Sequence, residues 1–369
     1  MFLSTSHAPI SALLCLACIA ITECAAHSVT PGDVTKIARV TGATPPGEML
    51  PNPNHTDQND LLFGTDLGVL WDEGDGEVRI AFGDTYGKGW DGDGAGPDSA
   101  DWRSNLLALS RDADPEAGLV FTRMVQDTPG HAKELLRARR DAKEWTVIPT
   151  AGVSVGTRQF LHYMSVRHWG APGYWDTNEG GIAYSDDGGA SWTRPTTPLW
   201  PNTPAGDSKF QQGAFAKLGD YVYLFGTPNG RHGDACLARV PSSAILDGKA
   251  YQYWDGSTWR TGGEATARQV VRGPIAELSV AYNSYFHRWL MVTLDEDRHA
   301  LVLRDAPALV GPWTEGKILA SAQDFPALYG GYIDPLHNSG PNLYFTLSQW
   351  TPYNVFWMRC ALSGGDAKS

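Results

Sequence analysis

Apolar residues along this chain fall in short β-branched or aromatic runs punctuated by Gly, Asn, Asp and Pro, and few segments carry a helical period. Two runs, residues 65–72 and 78–85, flank Glu73-Gly74-Asp75-Gly76-Glu77 and predict a β-hairpin. The pattern recurs in four more pairs: 151–155 with 159–165, 213–216 with 221–226, 277–282 with 288–292, and 331–334 with 342–347. Five hairpins at intervals of about 50 to 85 residues predict radial repetition. Outer strands complete the units, at 104–110 and 118–121 in the first, 181–185 in the second, and 235–240 with 251–255 in the third. The expectation is an all-β fold, a five-bladed β-propeller with four-stranded antiparallel blades. One helix is predicted, over 131–143, from its Ala, Leu, Glu and Arg content.

In the second unit, Ser185-Asp186-Asp187-Gly188-Gly189-Ala190-Ser191-Trp192 fits the pattern Ser-x-Asp-x-Gly-x-x-Trp. This Asp-box is a hairpin device of propeller sialidases and other propellers, and its role is structural.

The first hairpin carries the candidate chemistry. With its turn centred on Asp75, Asp66 and Asp84 become cross-strand partners at the open end. Like charges so placed destabilise a sheet, and crowding raises one pKa, so one group keeps a proton while its neighbour is ionised. Acid-assisted glycosidic cleavage requires that division. A single Asp in a Gly-rich chain is more often a turn cap, and a bulge in either strand would undo the register.

Aligning the inner strands places Asp66, Thr150, Gln211 and Glu277 at equivalent starts facing one channel, with Asp334 a looser match. Long polar loops there supply Trp90, Trp102, His168, Trp169, Tyr174, Trp175 and Trp350, aromatic candidates for a concave carbohydrate site. Arg103, Asn105, Arg167 and Gln211 are candidate holders of substrate hydroxyls. His162, His168 and His337 share no metal-ligand spacing and are read as core or hydrogen-bonding groups, so neither metal nor cofactor is expected.

The chain has 29 basic and 41 acidic residues, a net charge of −12, and no basic cluster, which argues against a nucleic-acid partner and leaves a polysaccharide as the expected one. The run 10–21 is too short to span a bilayer and precedes Ala25-Ala26, so residues 1–26 read as a secretory signal, with lipoprotein processing at Cys18 or Cys24 as the alternative. The expected location is secreted or periplasmic, with an envelope lipid anchor under the alternative. Residues 27–59 read as an extended lead-in, 60–362 as the propeller and 363–369 as a tail. Outside the leader only Cys236 and Cys360 remain, enough for one bridge or two buried thiols.

With these units placed, the chain resembles a bacterial family long described as a domain of unknown function and later linked to endo-D-arabinanases. The resemblance is carried, in order, by Gly64-Thr65-Asp66-Leu67-Gly68, Phe82-Gly83-Asp84-Thr85, Trp102-Arg103-Ser104-Asn105, Ile148-Pro149-Thr150-Ala151-Gly152, Tyr163-Met164-Ser165-Val166-Arg167, Phe225-Gly226-Thr227-Pro228, Glu277-Leu278-Ser279-Val280 and Pro352-Tyr353-Asn354-Val355-Phe356. It implies a five-bladed glycoside hydrolase that cuts α-D-arabinofuranosyl linkages in arabinogalactan and lipoarabinomannan. It also implies that two aspartates of the first blade do the chemistry, and the matching residues are Asp66 and Asp84. Asp66 is expected as nucleophile or base and Asp84 as acid, with Glu277 and Asp334 tuning them. One rival is another furanosidase, with Glu277 as acid and Asp84 as helper. The other is a secreted glycan-binding propeller without catalysis.

Overall fold

The computed structural model describes residues 28–364 except 73, 75 and 112. The expected leader lies outside the described residues. Five antiparallel sheets are arranged radially as the blades of a β-propeller. The first comprises Leu67–Asp72, Val78–Phe82, Leu106–Ser110 and Arg123–Met124; the second Thr146–Val155, Arg158–Trp169, Trp175–Ser185 and Trp200–Pro201. In the third, Gln212–Leu218, Tyr221–Thr227 and Gly233–Pro241 are followed by a divided outer edge, with Gln252–Trp254 and Gln269–Ile275 both pairing with Gly233–Pro241. The fourth is Leu278–Asn283, Arg288–Asp295, Ala300–Ala306 and Lys317–Ser321.

The fifth blade joins the two ends of the described chain. Leu328–Ile333, Asn342–Gln349 and Asn354–Gly364 are completed by Val29–Arg39, with Val34 opposite Cys360 and Arg39 opposite Phe356. Part of the expected lead-in is therefore the outermost strand of the last blade. Lys317 of the fourth blade donates to Ser28 Oγ, Val29 O and Thr30 Oγ1 at 2.8 Å each, fixing where that strand begins. Each innermost strand touches the next, and the first touches the last, so the ring is closed.

Blades bury both faces against neighbours, which is why Val78–Phe82 and Leu106–Ser110 are buried throughout instead of alternating. The core accordingly lies between blades: Ala38, Ile80, Leu106, Val355 and Trp357 join the fifth and first, and Phe160, Phe210, Leu224 and Tyr253 join the second and third. Packing between the first two blades dictates Gly152, because the Trp71 ring occupies the space a Cβ would need. The Trp71 indole N–H then reaches Gln159 Oε1 at 3.0 Å. The Asp-box closes its turn as expected, with Asp187 accepting from Ser191 N at 2.8 Å and the Trp192 indole donating to Gly189 O at 3.0 Å.

Two local expectations fail. Residues 131–143 form no helix: His131–Ala132 is a short strand paired with Gln126–Thr128, and the rest is irregular. The Leu135 and Leu136 amides bond instead to Asn105 Oδ1, and Leu136 and Ala138 are buried, so tertiary contacts override local propensity. The outer strand of the first blade is Arg123–Met124 instead of 118–121; the Phe121 amide is taken by Asn54, and bonding to the neighbouring strand starts at Thr122. Cys236 and Cys360 are separate buried thiols.

Candidate active site

The first hairpin keeps its expected register from Val69–Ala81 to Asp72–Val78 and then slips by one residue, so that Leu67 faces Phe82. The slip is a bulge, in which Leu67 and Gly68 take positive φ of 67° and 85°. Left-handed backbone at a leucine costs on the order of 1–3 kcal/mol and persists only where neighbours hold it. Here Thr346 and Ser348 of the fifth blade donate to Gly68 O at 2.9 Å and Leu67 O at 3.3 Å. Asp66 therefore pairs with Gly83, whose amide donates to Asp66 O at 3.2 Å, and not with Asp84. Gly83 has no side chain where Asp66 Oδ1 lies.

Both carboxylates nevertheless line one cavity of about 680 Å3 at the channel mouth. Asp84 Oδ1 accepts from Trp102 Nε1 at 2.8 Å and Thr146 Oγ1 at 2.6 Å. Asp66 Oδ2 accepts from Tyr329 Oη at 3.0 Å, while its Oδ1 is buried without a hydrogen-bond partner among the described residues. Burial, reinforced by the Asp84 charge, pushes the Asp66 carboxyl up to about 8 against the pull of the Tyr329 and Tyr353 hydroxyls. Burial also pushes Asp84 up, to about 7, against its bonds from Thr146 and Trp102 and the charge of Arg140. An unpartnered, strongly desolvated oxygen suits a protonated carboxyl. A carboxylate receiving two donors suits the ionised one.

Glu277 lines the same cavity. Its Oε1 accepts from Arg231 Nε and Nη2 at 3.2 and 2.9 Å, and its Oε2 is buried without a hydrogen-bond partner among the described residues. Arg231 also approaches Glu296 at 3.6 Å and lies 5.3 Å from the centre of the Tyr329 ring, so an ion-pair cluster forms part of the cavity wall. Asp334 is elsewhere. The inner strand of the fifth blade begins at Leu328, so Asp334 follows its far end, where it accepts from the Leu336 amide at 3.1 Å and meets His337 Nδ1 at 2.6 Å.

The expected binding residues divide. Trp169 and Trp350, 41% and 48% exposed, stand on the cavity rim with Trp145 and Tyr174. Trp102 is buried and acts through Asp84. Trp90 packs on Gly64 and Gly96 and donates to Gly94 O at 3.1 Å, closing its own loop. Arg103 is consumed by Ala132 O and Leu61 O at 3.0 and 2.7 Å. Asn105 is fully buried, donating to Leu136 O and Val147 O. Arg167 points to solvent near Asp176, at 3.9 Å. Gln211 is buried among Thr177, Trp200 O and Ser208, and its neighbour Gln212 lines the cavity in its place. His162 is an internal group bonded to Thr150 and Phe210 O, and burial holds it down at about 4. Among the described residues no group of three or more His, Cys, Asp or Glu is placed to hold a metal ion.

Sequence reasoning missed Tyr329, Thr146 and Arg231 as parts of the site. Tyr329 follows Leu328 at the start of the inner strand of the fifth blade, a position that the hairpin alignment assigned to later residues. Tyr353 was visible only within the motif Pro352-Tyr353-Asn354-Val355-Phe356.

Residues 51–359 match the model of a domain of unknown function, DUF4185. Notoamide biosynthesis cluster protein J of Aspergillus sp. (strain MF297-2) is 31% identical over 309 residues, 79% of this chain and 80% of that protein. Notoamide biosynthesis cluster protein J' of Aspergillus versicolor is 30% identical over 307 residues, 79% and 82% of the two chains. Among solved structures, a candidate hydrolase from Bacteroides ovatus ATCC 8483 superposes with a TM-score of 0.58 at 11% identity, covering 83% of this chain and 87% of that one. The alpha-L-arabinofuranosidase PaAbf62A from Podospora anserina, in complex with cellotriose, gives 0.51 at 11% identity, covering 91% and 98%. At such identities the structural likeness is one of fold. The match over residues 51–359, most of the chain, settles the family: this chain belongs to DUF4185.

Proposed function

We propose that the protein is a glycoside hydrolase that cleaves α-D-arabinofuranosyl linkages in arabinogalactan- or lipoarabinomannan-type polymers. The observation that carries this reading is the pair Asp66 and Asp84, raised to about 8 and about 7 yet bonded differently, in one aromatic-rimmed cavity. The propeller's likeness in fold to an alpha-L-arabinofuranosidase supports a furanosidase, and the D series is the expectation that comes from the family resemblance.

In this mechanism the Asp66 carboxyl gives its proton to the glycosidic oxygen as the bond from that oxygen to the anomeric carbon breaks, and the bonding pair leaves with the oxygen. The Asp84 carboxylate attacks the anomeric carbon or takes a proton from an attacking water. This reverses the roles expected from the sequence, because the donors on Asp84 favour its anion. The anomer first released, read by NMR, distinguishes attack on the sugar, which retains configuration, from attack by water, which inverts it.

The unpartnered Glu277 Oε2 supports a second reading, in which Glu277 is the acid and Asp84 a helper. Mass analysis of digests of mycobacterial arabinogalactan and plant L-arabinan decides among these, with the double Asp66→Asn, Asp84→Asn variant as control. Oligosaccharides from the first polymer alone are expected. Retention of polymer without any product would identify a binding protein instead. Turnover that survives Asp84→Asn and is lost in Glu277→Gln would transfer the acid role to Glu277.

A further inference from the structure

Beside the acid cavity lies a second hollow of about 400 Å3, and Gly170, Tyr174 and Trp175 form a wall common to both. Tyr174 is the crest of that wall, 58% exposed, with its ring stacked on His232 at 4.5 Å between centroids and 29° between planes. Such a ring is already oriented, so a ligand that stacks on it loses little further side-chain freedom. The loop beneath is tied down: Gly170 N donates to Tyr174 O and Tyr174 N to Ala171 O, both at 2.9 Å, and Arg231 N donates to Gly173 O at 3.0 Å. The last bond couples the crest to the segment that carries Arg231 into the acid cavity. Trp175, edge-on to Trp169 at 5.6 Å, keeps its buried indole N–H without an acceptor among the described residues. Polar groups surround the far side, with Asp176 lying 3.7 Å from His168 and Asn229 beside them.

A hollow with an oriented aromatic crest and the polar side chains of His168, Asp176 and Asn229 on its walls has the chemistry of a sugar-binding site. We propose that it binds a further furanosyl unit of the same chain whose scissile bond lies at Asp66 and Asp84, with Tyr174 as the platform the chain crosses. The protein therefore grips polymer on both sides of the crest and favours long chains over short ones. This inference rests on the hydrolase reading above.

Calorimetry on the double Asp66→Asn, Asp84→Asn protein, with D-arabinan oligosaccharides of graded length, tests the hollow with turnover suppressed. Affinity is expected to rise once the oligosaccharide is long enough to cross the crest. Adding Tyr174→Ala removes that gain, roughly fivefold to tenfold, and Tyr174→Phe preserves it. A length gain that survives Tyr174→Ala, or the absence of any gain, overturns the proposal. Product release by the unmodified protein is scored separately, so an inactive protein that still shows the Tyr174-dependent gain refutes hydrolysis and keeps the binding site.

Discussion

Replacing Asp66 by Asn removes the most strongly perturbed carboxyl in the cavity, and the structure fixes how stability must respond to pH. The unfolded chain ionises Asp66 near 3.8, whereas the folded protein holds its proton up to about 8. A group with a raised folded value contributes stability that is fully present below its unfolded value and is lost as pH rises through the folded one. At about 1.4 kcal/mol for each pH unit, that interval amounts to ~6 kcal/mol in full, and the span from pH 5 to pH 8 alone to ~4 kcal/mol. Because part of the shift comes from the Asp84 charge, the measured change is expected at roughly 2–4 kcal/mol. Urea unfolding of the wild type and Asp66→Asn at pH 5, 6, 7 and 8 reads this directly. The variant's stability relative to wild type should climb steadily across the series, while its activity on arabinan is lost. Parallel stability curves would mean that Asp66 is ionised in the folded protein at neutral pH, and the proton donor proposed here would be gone.

The remaining expectations concern the same site and its supports. With Asp84 ionised and Asp66 protonated in the active form, kcat/KM should follow a bell, rising through about pH 7 and falling through about pH 8. Tyr329→Phe deletes a donor that eases ionisation of Asp66, so the alkaline limb should move to higher pH while the acid limb stays; a downward move would contradict the bond to Oδ2. Asp84→Asn should lower kcat by about 10²–10⁴ with the urea midpoint retained or raised. Asn105→Ala takes the side-chain partner from three buried backbone groups, Leu136 N, Leu136 O and Val147 O, so stability should fall by several kcal/mol, at ~1–3 kcal/mol for each group, with KM for arabinan unchanged. A KM effect without loss of stability would return Asn105 to the binding surface.

The propeller was legible because its inner hairpins repeat in sequence, each flanked by turn residues. The acidic pair was legible for a reason that proved only half correct. Counting outward from Asp75 holds until Val69, and the left-handed pair Leu67-Gly68 then absorbs one residue. Gly68 was the local sign of this, but the hydroxyls that fix the bulge come from Thr346 and Ser348, far along the chain. Tyr329 was illegible for the same reason: it reaches Asp66 across 263 positions of sequence. The segment Trp102-Arg103-Ser104-Asn105 misled in the opposite direction. Its polar groups satisfy buried backbone and a buried carboxylate, and composition cannot separate that duty from ligand binding. Gln211 and Gln212 show how narrow the margin is, since Gln211 just before the strand turns inward while Gln212 at its start lines the cavity.

The pairing of Val29–Arg39 with Asn354–Gly364 also bears on the site. Val29–Arg39 is the outer edge of the blade whose inner strand carries Tyr329, the residue whose hydroxyl is bonded to Asp66, although the two segments lie far apart in sequence. The surroundings that perturb Asp66 therefore depend on a remote edge of the sheet staying in place. Cutting within residues 29–39 is expected to abolish the proposed activity while every residue named in the mechanism is still present.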